Sequence, residues 1–478
     1  MTAHRALLGQ GSAYALAGAA PMLSGLLLTP LVTRSLGPLE YGLVALGVSV
    51  YQVAAVLLAL GLPAAVTRHS ILERSGPTGA AGVVVAGSAA AVVLGSAAML
   101  TSRWWGAWVA PAGATSVLGT AVASATALAV VTLCLAHLRG VSRVRSFVGV
   151  ALALAWVPPA VGLLLLHGTA GGGLTYLGGL AGAQAVVAAA ALVHVVRLHR
   201  PAPSSTVWRR SLAVGLPTVP HQLATVAATT LLVVVAARLV GTPAAGRLQL
   251  AVLIGAVPSI LVGAFNNAWA PLVYRTPAPE RPAVIARTST LVAAVAGVLA
   301  VGVALAAPLA LAVVGPPEMR GTDAVRAVAV VAAAAPLMVL YLANIHLVFA
   351  SGRTGWLMLS TPASLALAYG ATWTVHSLVP GAGLASIALA LPSFQAAQIG
   401  MATWMGRRTS GQRLRLGPAF AVSGVAVVAC LAVAIAAPGA GWRVAVAAAL
   451  VLTVGGAAAV GSDRVRRLVE PAPSEVVR

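Results

Sequence analysis

The residues able to bind a ligand stand out in this chain because most of it is apolar. Arg68 and Arg275 each follow a long apolar segment, so each lies at the end of a predicted helix. A guanidinium group keeps its charge and can bind two phosphate oxygens at once. A charge at the centre of a membrane helix costs about 2.5–3.5 kcal/mol, so a helix end is the less costly position. We predict that both arginines bind an anionic ligand; anchoring of the membrane topology is the alternative role.

Four polar side chains fall inside apolar segments. His221 and Gln222 interrupt one segment, and Asn266 and Asn267 lie near the end of the next. Polar groups in a membrane bundle usually face its interior or a water-filled cavity. Amides both donate and accept hydrogen bonds, which suits a ligand rich in hydroxyl groups. We predict that these four residues line a cavity, with hydrogen bonds between helices as the alternative.

A short motif occurs twice. Arg34, Gly37 and Gly42 form the pattern R-x-x-G-x-x-x-x-G, and Arg238, Gly241 and Gly246 repeat it 204 residues later. These are the only two matches among the 29 arginines, and each lies between two apolar segments. The pair predicts equivalent corners of an internal repeat. Their arginines are expected to form a gate or a cavity rim, unless they only reach for the membrane interface.

The composition defines the class of protein. The chain has 478 residues, of which 60% are hydrophobic and 8% charged, and its mean hydropathy is +0.97. So little charge predicts an integral membrane protein with many helices. The net charge of +21 comes from arginines in short clusters between apolar runs, a pattern typical of membrane topology and not of nucleic-acid binding.

No catalytic, cofactor or metal site is predicted. The chain contains no Lys, so a glycine-rich phosphate loop that ends in Lys is excluded. No two histidines have a zinc-like spacing with a supporting acid. We therefore expect no nucleotide hydrolysis and no metal or cofactor.

Apolar segments long enough to cross a membrane recur along the whole chain, which predicts an all-α fold with about fourteen transmembrane helices. With the N-terminus inside, 22 arginines lie on the cytoplasmic side and 7 outside, which follows the positive-inside rule. Both termini are then cytoplasmic. The predicted spans are 13–33, 42–62, 80–100, 114–137, 147–166, 174–194, 212–235, 248–270, 288–314, 327–350, 355–379, 384–406, 416–437 and 444–461.

The repeated motif also predicts the domain organisation. Six helices separate its two copies, and an even number makes the repeat parallel, with its axis along the membrane normal. We expect a six-helix lobe at 1–204, a second at 205–410, and two further helices with a short cytoplasmic tail at 411–478. Two such lobes around a central cavity are typical of alternating-access transporters.

Several stretches resemble one family. LVTRSLGPLEYGLVALGVSVYQ followed by ALGLPAAVTRH resembles the first hairpin of bacterial O-antigen-type polysaccharide flippases. VGLPTVPHQL and GAFNNAWAPLVYR resemble their seventh and eighth helices, and VPGAGLASIALALPS their eleventh-to-twelfth connection. These flippases belong to the multidrug, oligosaccharidyl-lipid and polysaccharide exporter superfamily. The resemblance covers roughly residues 10–410.

The resemblance implies a flippase in the bacterial plasma membrane. Its substrate would be a polyprenyl-pyrophosphate-linked oligosaccharide, moved from the inner to the outer leaflet for cell-surface polysaccharide synthesis. The implied partners are membrane lipids and a glycan polymerase or glycosyltransferases. The sugar head needs such a path because its polar groups would lose water inside hydrocarbon without replacement.

The chain departs from this family in its seventh helix. Many members carry an acidic residue there, whereas this chain reads AATTLLVVV over 227–235. Coupling to protons or sodium through a membrane carboxylate is therefore in doubt. A drug or small-molecule exporter of the same superfamily remains an alternative, although the same absence counts against it. A membrane glycan polymerase is a weaker alternative, because no large acidic outer loop is present.

Overall fold

The computed structural model describes residues 2–73, 75–111, 114–169, 171–351 and 355–436. Within these ranges the chain is helical throughout, with turns and no strands, so the all-α prediction is confirmed. The last predicted span, at 444–461, and the tail lie outside the described residues. The N-terminal helices are α1 (Thr2–Leu58), α2 (Leu62–Leu72), α3 (Gly76–Leu100), α4 (Ser102–Val109), α5 (Val117–Gly140), α6 (Val144–Gly168) and α7 (Gly173–Leu198).

The C-terminal helices continue the same pattern. A short 3-10 turn over Leu216–Thr218 joins the first two of them. They are α8 (Ser205–Gly215), α9 (Val219–Leu239), α10 (Thr242–Gly255), α11 (Val257–Arg275), α12 (Arg281–Val314), α13 (Thr322–Ala332), α14 (Ala334–Ala350), α15 (Leu357–Leu378), α16 (Gly383–Ala388), α17 (Ala390–Ser410) and α18 (Gly417–Ala436).

The helices have the length and composition of membrane spans. In the described part of the chain, ten helical stretches are long and apolar enough to cross a membrane, and α10 with α11 form an eleventh if their 43° bend lies within one span. One of the ten, Ala17–Leu58, covers most of the predicted spans 13–33 and 42–62, with the non-helical Gly37 between them. As far as the structure describes them, the thirteen predicted spans up to 416–437 lie mainly on helices, so the chain is a multi-pass membrane protein.

Several spans are broken near their middle, and proline explains two of the breaks. Pro217 lies in the 3-10 turn before α9, and Pro258 lies in the first turn of α11. Proline has no backbone N–H to donate, so it fits the first turn of a new helix better than the interior of a continuous one. Pro158 and Pro159 are nevertheless accommodated inside α6, so the sequence alone does not show which prolines end a helix.

The two copies of the repeated motif share an unusual backbone conformation. Gly37 has φ 69° and Gly241 has φ 111°, both in the region that favours glycine. Gly37 directly precedes Pro38, and one residue separates Gly241 from Pro243. Each glycine lies where one helix ends and the next begins. We call the end of the bundle that carries these two turns the corner face. The opposite end, which carries Arg68, Arg139 and Arg275, is called the arginine-rich face.

Candidate functional site

A cavity of about 890 Å³ lies among the N-terminal helices. Helices α1, α5, α6 and α7 form most of its wall, and α10 and α11 from the C-terminal part of the chain complete it. The wall mixes apolar groups, uncharged polar groups and one arginine among the described residues. The polar and aromatic side chains that line it include Ser24, Thr29, Tyr41, Tyr51, Gln52, Arg139, Tyr176, Gln184, Gln249 and Asn267.

The cavity contains one formal charge. Arg139, in the last turn of α5, is the only charged residue among the described residues that line it, and no carboxylate lines it. The Arg139 side chain is exposed at the arginine-rich face. A positive group near a helix C-terminus is favoured by the helix dipole, so this position stabilises the arginine without a protein counter-ion. The cavity therefore suits an anionic group at this end.

Tyrosines and amides line the deeper part. Tyr41 and Tyr51 both lie close to Tyr176. Tyr51 also lies beside the amide groups of Gln52 and Gln184. Only 4% of Gln184 is exposed, and its Oε1 atom has no hydrogen-bond partner among the described residues. A buried acceptor without a partner is costly, so this oxygen is available to a hydroxyl group or water in the cavity.

Two predicted ligand arginines lie elsewhere on the arginine-rich face. Arg68 forms an ion pair with Glu73, with Nη1 and Oε1 3.2 Å apart. Arg275 is exposed in the last turn of α11. Neither is among the described residues that line the cavity. Their predicted role as substrate ligands stays a prediction for another conformation or another part of the path.

The four predicted polar residues divide into two groups. His221 Nδ1 lies 2.8 Å from Thr361 Oγ1, and Gln222 Nε2 donates to Thr218 Oγ1 at 2.7 Å. His221 therefore makes a hydrogen bond between helices, which was the alternative role, whereas the bond of Gln222 is local, to the turn that precedes its own helix. Asn267 is exposed and lines the cavity. The Oδ1 atom of its neighbour Asn266 is buried without a partner among the described residues.

At the corner face, contacts between distant parts of the chain close the bundle. Arg34 donates from Nη2 to the carbonyl oxygen of Val313 at 2.9 Å, near the end of α12. Arg238 donates in the same way to the carbonyl oxygen of Ala107, near the end of α4. Each motif arginine thus binds the last carbonyls of a helix in the other half of the chain, where a cation is favoured.

A hydroxyl and a close helix crossing strengthen this closure. Thr33 is fully buried and donates to the carbonyl oxygen of Val314 at 2.7 Å. At Gly246, a Cβ atom would lie 2.8 Å from the carbonyl oxygen of Pro38, so α10 touches the backbone of α1 directly. These contacts join the helices at the corner face, while Arg139 of the cavity wall is exposed at the arginine-rich face.

Sequence reasoning missed most of this cavity. Arg139 stands in a cluster with Arg143 and Arg145, and nothing in the sequence distinguishes it from them. Tyr41 lies within the first copy of the motif, which indicated a turn and gave no sign of a cavity wall. Gln184 lies in an alanine-rich helix, and a polar residue inside an apolar span was the signal that could have found it.

Comparisons with known proteins identify the fold. No protein-family profile matches the chain, and no curated protein matches it in sequence. Among solved structures, an inward-facing multidrug resistance MATE family transporter of the MOP superfamily has a TM-score of 0.66 at 17% identity, over 83% of this chain and 98% of that one.

Two other solved structures extend the comparison. An outward-facing MATE family transporter of the MOP superfamily has a TM-score of 0.55 at 14% identity, over 84% of this chain and 94% of that one. A MOP superfamily transporter from Pyrococcus furiosus is described by the reverse polarity of its binding pocket. It has a TM-score of 0.55 at 15% identity, over 84% of this chain and 95% of that one. The chain therefore has the fold of the MATE transporters, and identities this low show the fold alone.

Proposed function

We propose that this multi-pass membrane protein is an alternating-access flippase for a polyprenyl-pyrophosphate-linked oligosaccharide. It moves the substrate from the inner to the outer leaflet of the bacterial plasma membrane for cell-surface polysaccharide synthesis, and it makes or breaks no covalent bond. The observation that carries the proposal is the cavity: among its described lining residues, Arg139 is the one charge and the other polar groups are neutral.

The charge of the cavity favours an anionic substrate. A cationic drug that left water for this site would meet no carboxylate among the described lining residues, and an uncompensated buried charge is costly. A pyrophosphate group, in contrast, would meet the Arg139 guanidinium, whose fork can bind two phosphate oxygens. Its position at the arginine-rich face, which we assign to the cytoplasm, is where the substrate is made.

The neutral part of the cavity suits a sugar. Carbohydrates present hydroxyl groups that donate and accept, and the amides of Gln52, Gln184 and Gln249 can do both. The unpartnered Oε1 of Gln184 would gain a donor when a hydroxyl group enters. The rings of Tyr51 and Tyr176 would cover the apolar faces of the sugar. These groups replace the water that the sugar loses.

The conformation suits the start of a transport cycle. We assign the lobes to 1–204 and 205–410, held together at the corner face by the Arg34 and Arg238 contacts. Opening of these contacts and closure at the arginine-rich face would expose the same cavity to the other side. The higher TM-score to the inward-facing neighbour than to the outward-facing one is in keeping with this assignment.

A drug or small-molecule exporter of the same superfamily is the second candidate. It is favoured by the solved structures of this fold that are described as multidrug resistance transporters. A deletion strain separates the two functions. The flippase proposal expects lipid-linked oligosaccharide to accumulate in the inner leaflet and surface glycan to be lost, with unchanged drug susceptibility. Normal surface glycan together with increased sensitivity to cationic drugs would favour the exporter.

A further inference from the structure

A second, smaller cavity of about 260 Å³ lies apart from the transport cavity. It lies between α14, α17 and α18, close to the point where the chain leaves α17. Its wall includes the polar residues Asn344 and Thr403, the cationic Arg407, and the apolar Leu414 and Phe420. A cation, neutral polar groups and apolar groups thus meet in one cleft.

The cleft lies where a membrane interface is expected. Trp356 and Trp404 form an edge-to-face pair with ring centroids 5.6 Å apart, and both are exposed. Exposed tryptophans of a membrane protein concentrate at the level of the lipid headgroups. The Arg408 guanidinium stacks on the Trp404 ring at 4.7 Å, so this arginine is already engaged. Phe420 at the rim is exposed on a helix that would face acyl chains.

The linker after α17 orients alternate side chains in opposite directions. The helix ends at Ser410, Gly411 has φ 67°, and residues 411–416 belong to no helix. Burial alternates along this linker, with positions 413 and 415 exposed and positions 412, 414 and 416 more buried. Gln412, Leu414 and Leu416 line the cleft, whereas Arg413 and Arg415 are exposed and are not among its lining residues. Arg407 is therefore the cation that faces the cleft.

The polar side chains that line the cleft can still form further hydrogen bonds. Asn344 is 5% exposed, and its Nδ2 donates to the carbonyl oxygen of Leu340 at 2.9 Å. Gln412 Nε2 donates to the carbonyl oxygen of Ala278 at 2.8 Å, which fixes the linker against the turn before α12. The Arg407 side chain is exposed and forms no hydrogen bond or ion pair with protein groups in the described ranges. The Arg407 guanidinium can therefore bind an anionic ligand without first breaking an ion pair within the described protein.

We infer that this cleft binds the headgroup of an anionic phospholipid. The phosphate group would contact Arg407 and the Thr403 hydroxyl, and the acyl chains would lie along Phe420. Basic pockets between membrane helices are suited to such headgroups because the cation and the apolar rim match the two parts of the lipid. The bound lipid would join α18, the first helix after the two predicted six-helix lobes, to α14 and α17. The site does not depend on the transport proposal.

The test measures lipid retention by the full-length protein. Wild type and variants are reconstituted in nanodiscs with equal amounts of phosphatidylglycerol and phosphatidylcholine, extracted into detergent, and examined by native mass spectrometry for bound lipid. Arg407→Gln is expected to reduce bound phosphatidylglycerol about fivefold, the effect of one cation close to an anionic headgroup. Arg407→Lys should retain most of it. Thr403→Val, which keeps shape and removes the hydroxyl group, should give a smaller loss.

Arg413→Gln and Arg415→Gln are the matched controls, because they remove the same charge from the same linker but face away from the cleft. The inference is overturned if either control loses as much lipid as Arg407→Gln, which indicates general surface attraction, or if Arg407→Gln retains the wild-type amount. A separate sample in phosphatidylcholine alone receives inorganic phosphate. The melting temperature is measured for this sample and for one with phosphatidylglycerol. If phosphate raises the melting temperature as much as phosphatidylglycerol does, the inference is overturned, because free phosphate would then be the ligand.

Discussion

The Cβ position of Gly246 lies 3.0 Å from the backbone nitrogen of Gly42, so α10 and α1 cross with no side chain between them. On the other side of the crossing, a Cβ atom on Gly42 would collide with the carbonyl oxygen of Thr242. The last glycines of the two motif copies thus pack against each other. The repeat detected in the sequence is the place where the two halves of the chain meet at the corner face.

The first prediction concerns this crossing. Gly42→Ala and Gly246→Ala should each destabilise the protein by about 1–3 kcal/mol, because backbone atoms have to move apart. Gly182→Ala is the control, since its Cβ position in α7 has no atom within 4 Å. That change should be neutral or stabilising, because Ala is the better helix former. The melting temperatures of the three variants are measured in one detergent. Equal melting temperatures would contradict the close contact between α1 and α10.

The second prediction concerns the gate. Arg34→Gln and Arg238→Gln each remove a contact between a guanidinium and the end of a helix in the other half. A cation at a helix C-terminus contributes up to about 1 kcal/mol, so each change should shift the population about fivefold toward opening at the corner face. A cysteine at Ser24, a buried cavity residue, reports the shift through its reaction with a membrane-impermeant thiol reagent added from outside.

Arg103→Gln is the control for the gate. Arg103 is also on the corner face, but it stacks on Trp104 with 4.7 Å between the guanidinium carbon and the ring centroid. The native Cys134 and Cys430 are buried and should contribute little background. A labelling rate that does not rise in either variant, or that rises equally in Arg103→Gln, would show that these contacts do not hold the face closed.

The sequence predicted the fold and the two glycine turns better than it predicted the cavity. Span positions follow from apolar length, and Gly37 and Gly241 follow from the backbone conformation that only glycine adopts easily. The partners of Arg34 and Arg238 could not be predicted, because the acceptors are backbone carbonyls, which every residue has. Arg139 could not be separated from its neighbours, because only packing decides which helix end opens into a cavity.

The third prediction separates two glutamines. Gln184→Leu should preserve or raise thermal stability, because it removes a buried oxygen without a partner, and it should lower transport, because the cavity loses an acceptor. Gln222→Leu should lower stability by about 1 kcal/mol through loss of its bond to Thr218, with transport little changed. If Gln222→Leu lowers transport and Gln184→Leu does not, the substrate site lies at Gln222 in the predicted span 212–235.

The most direct test of the transport proposal is flipping in proteoliposomes by the purified protein. A polyprenyl-pyrophosphate-linked oligosaccharide with a fluorescent sugar is placed in both leaflets, and an impermeant quencher measures the fraction that becomes accessible. We expect rapid accessibility with wild type and with Arg145→Gln, an exposed neighbour outside the described cavity lining. Arg139→Gln should be slower by about tenfold or more, since a charge-assisted bond to phosphate contributes about 1.5–3 kcal/mol. No flipping by wild type, or equal rates for the two variants, would contradict the assignment of this cavity to an anionic, sugar-bearing lipid.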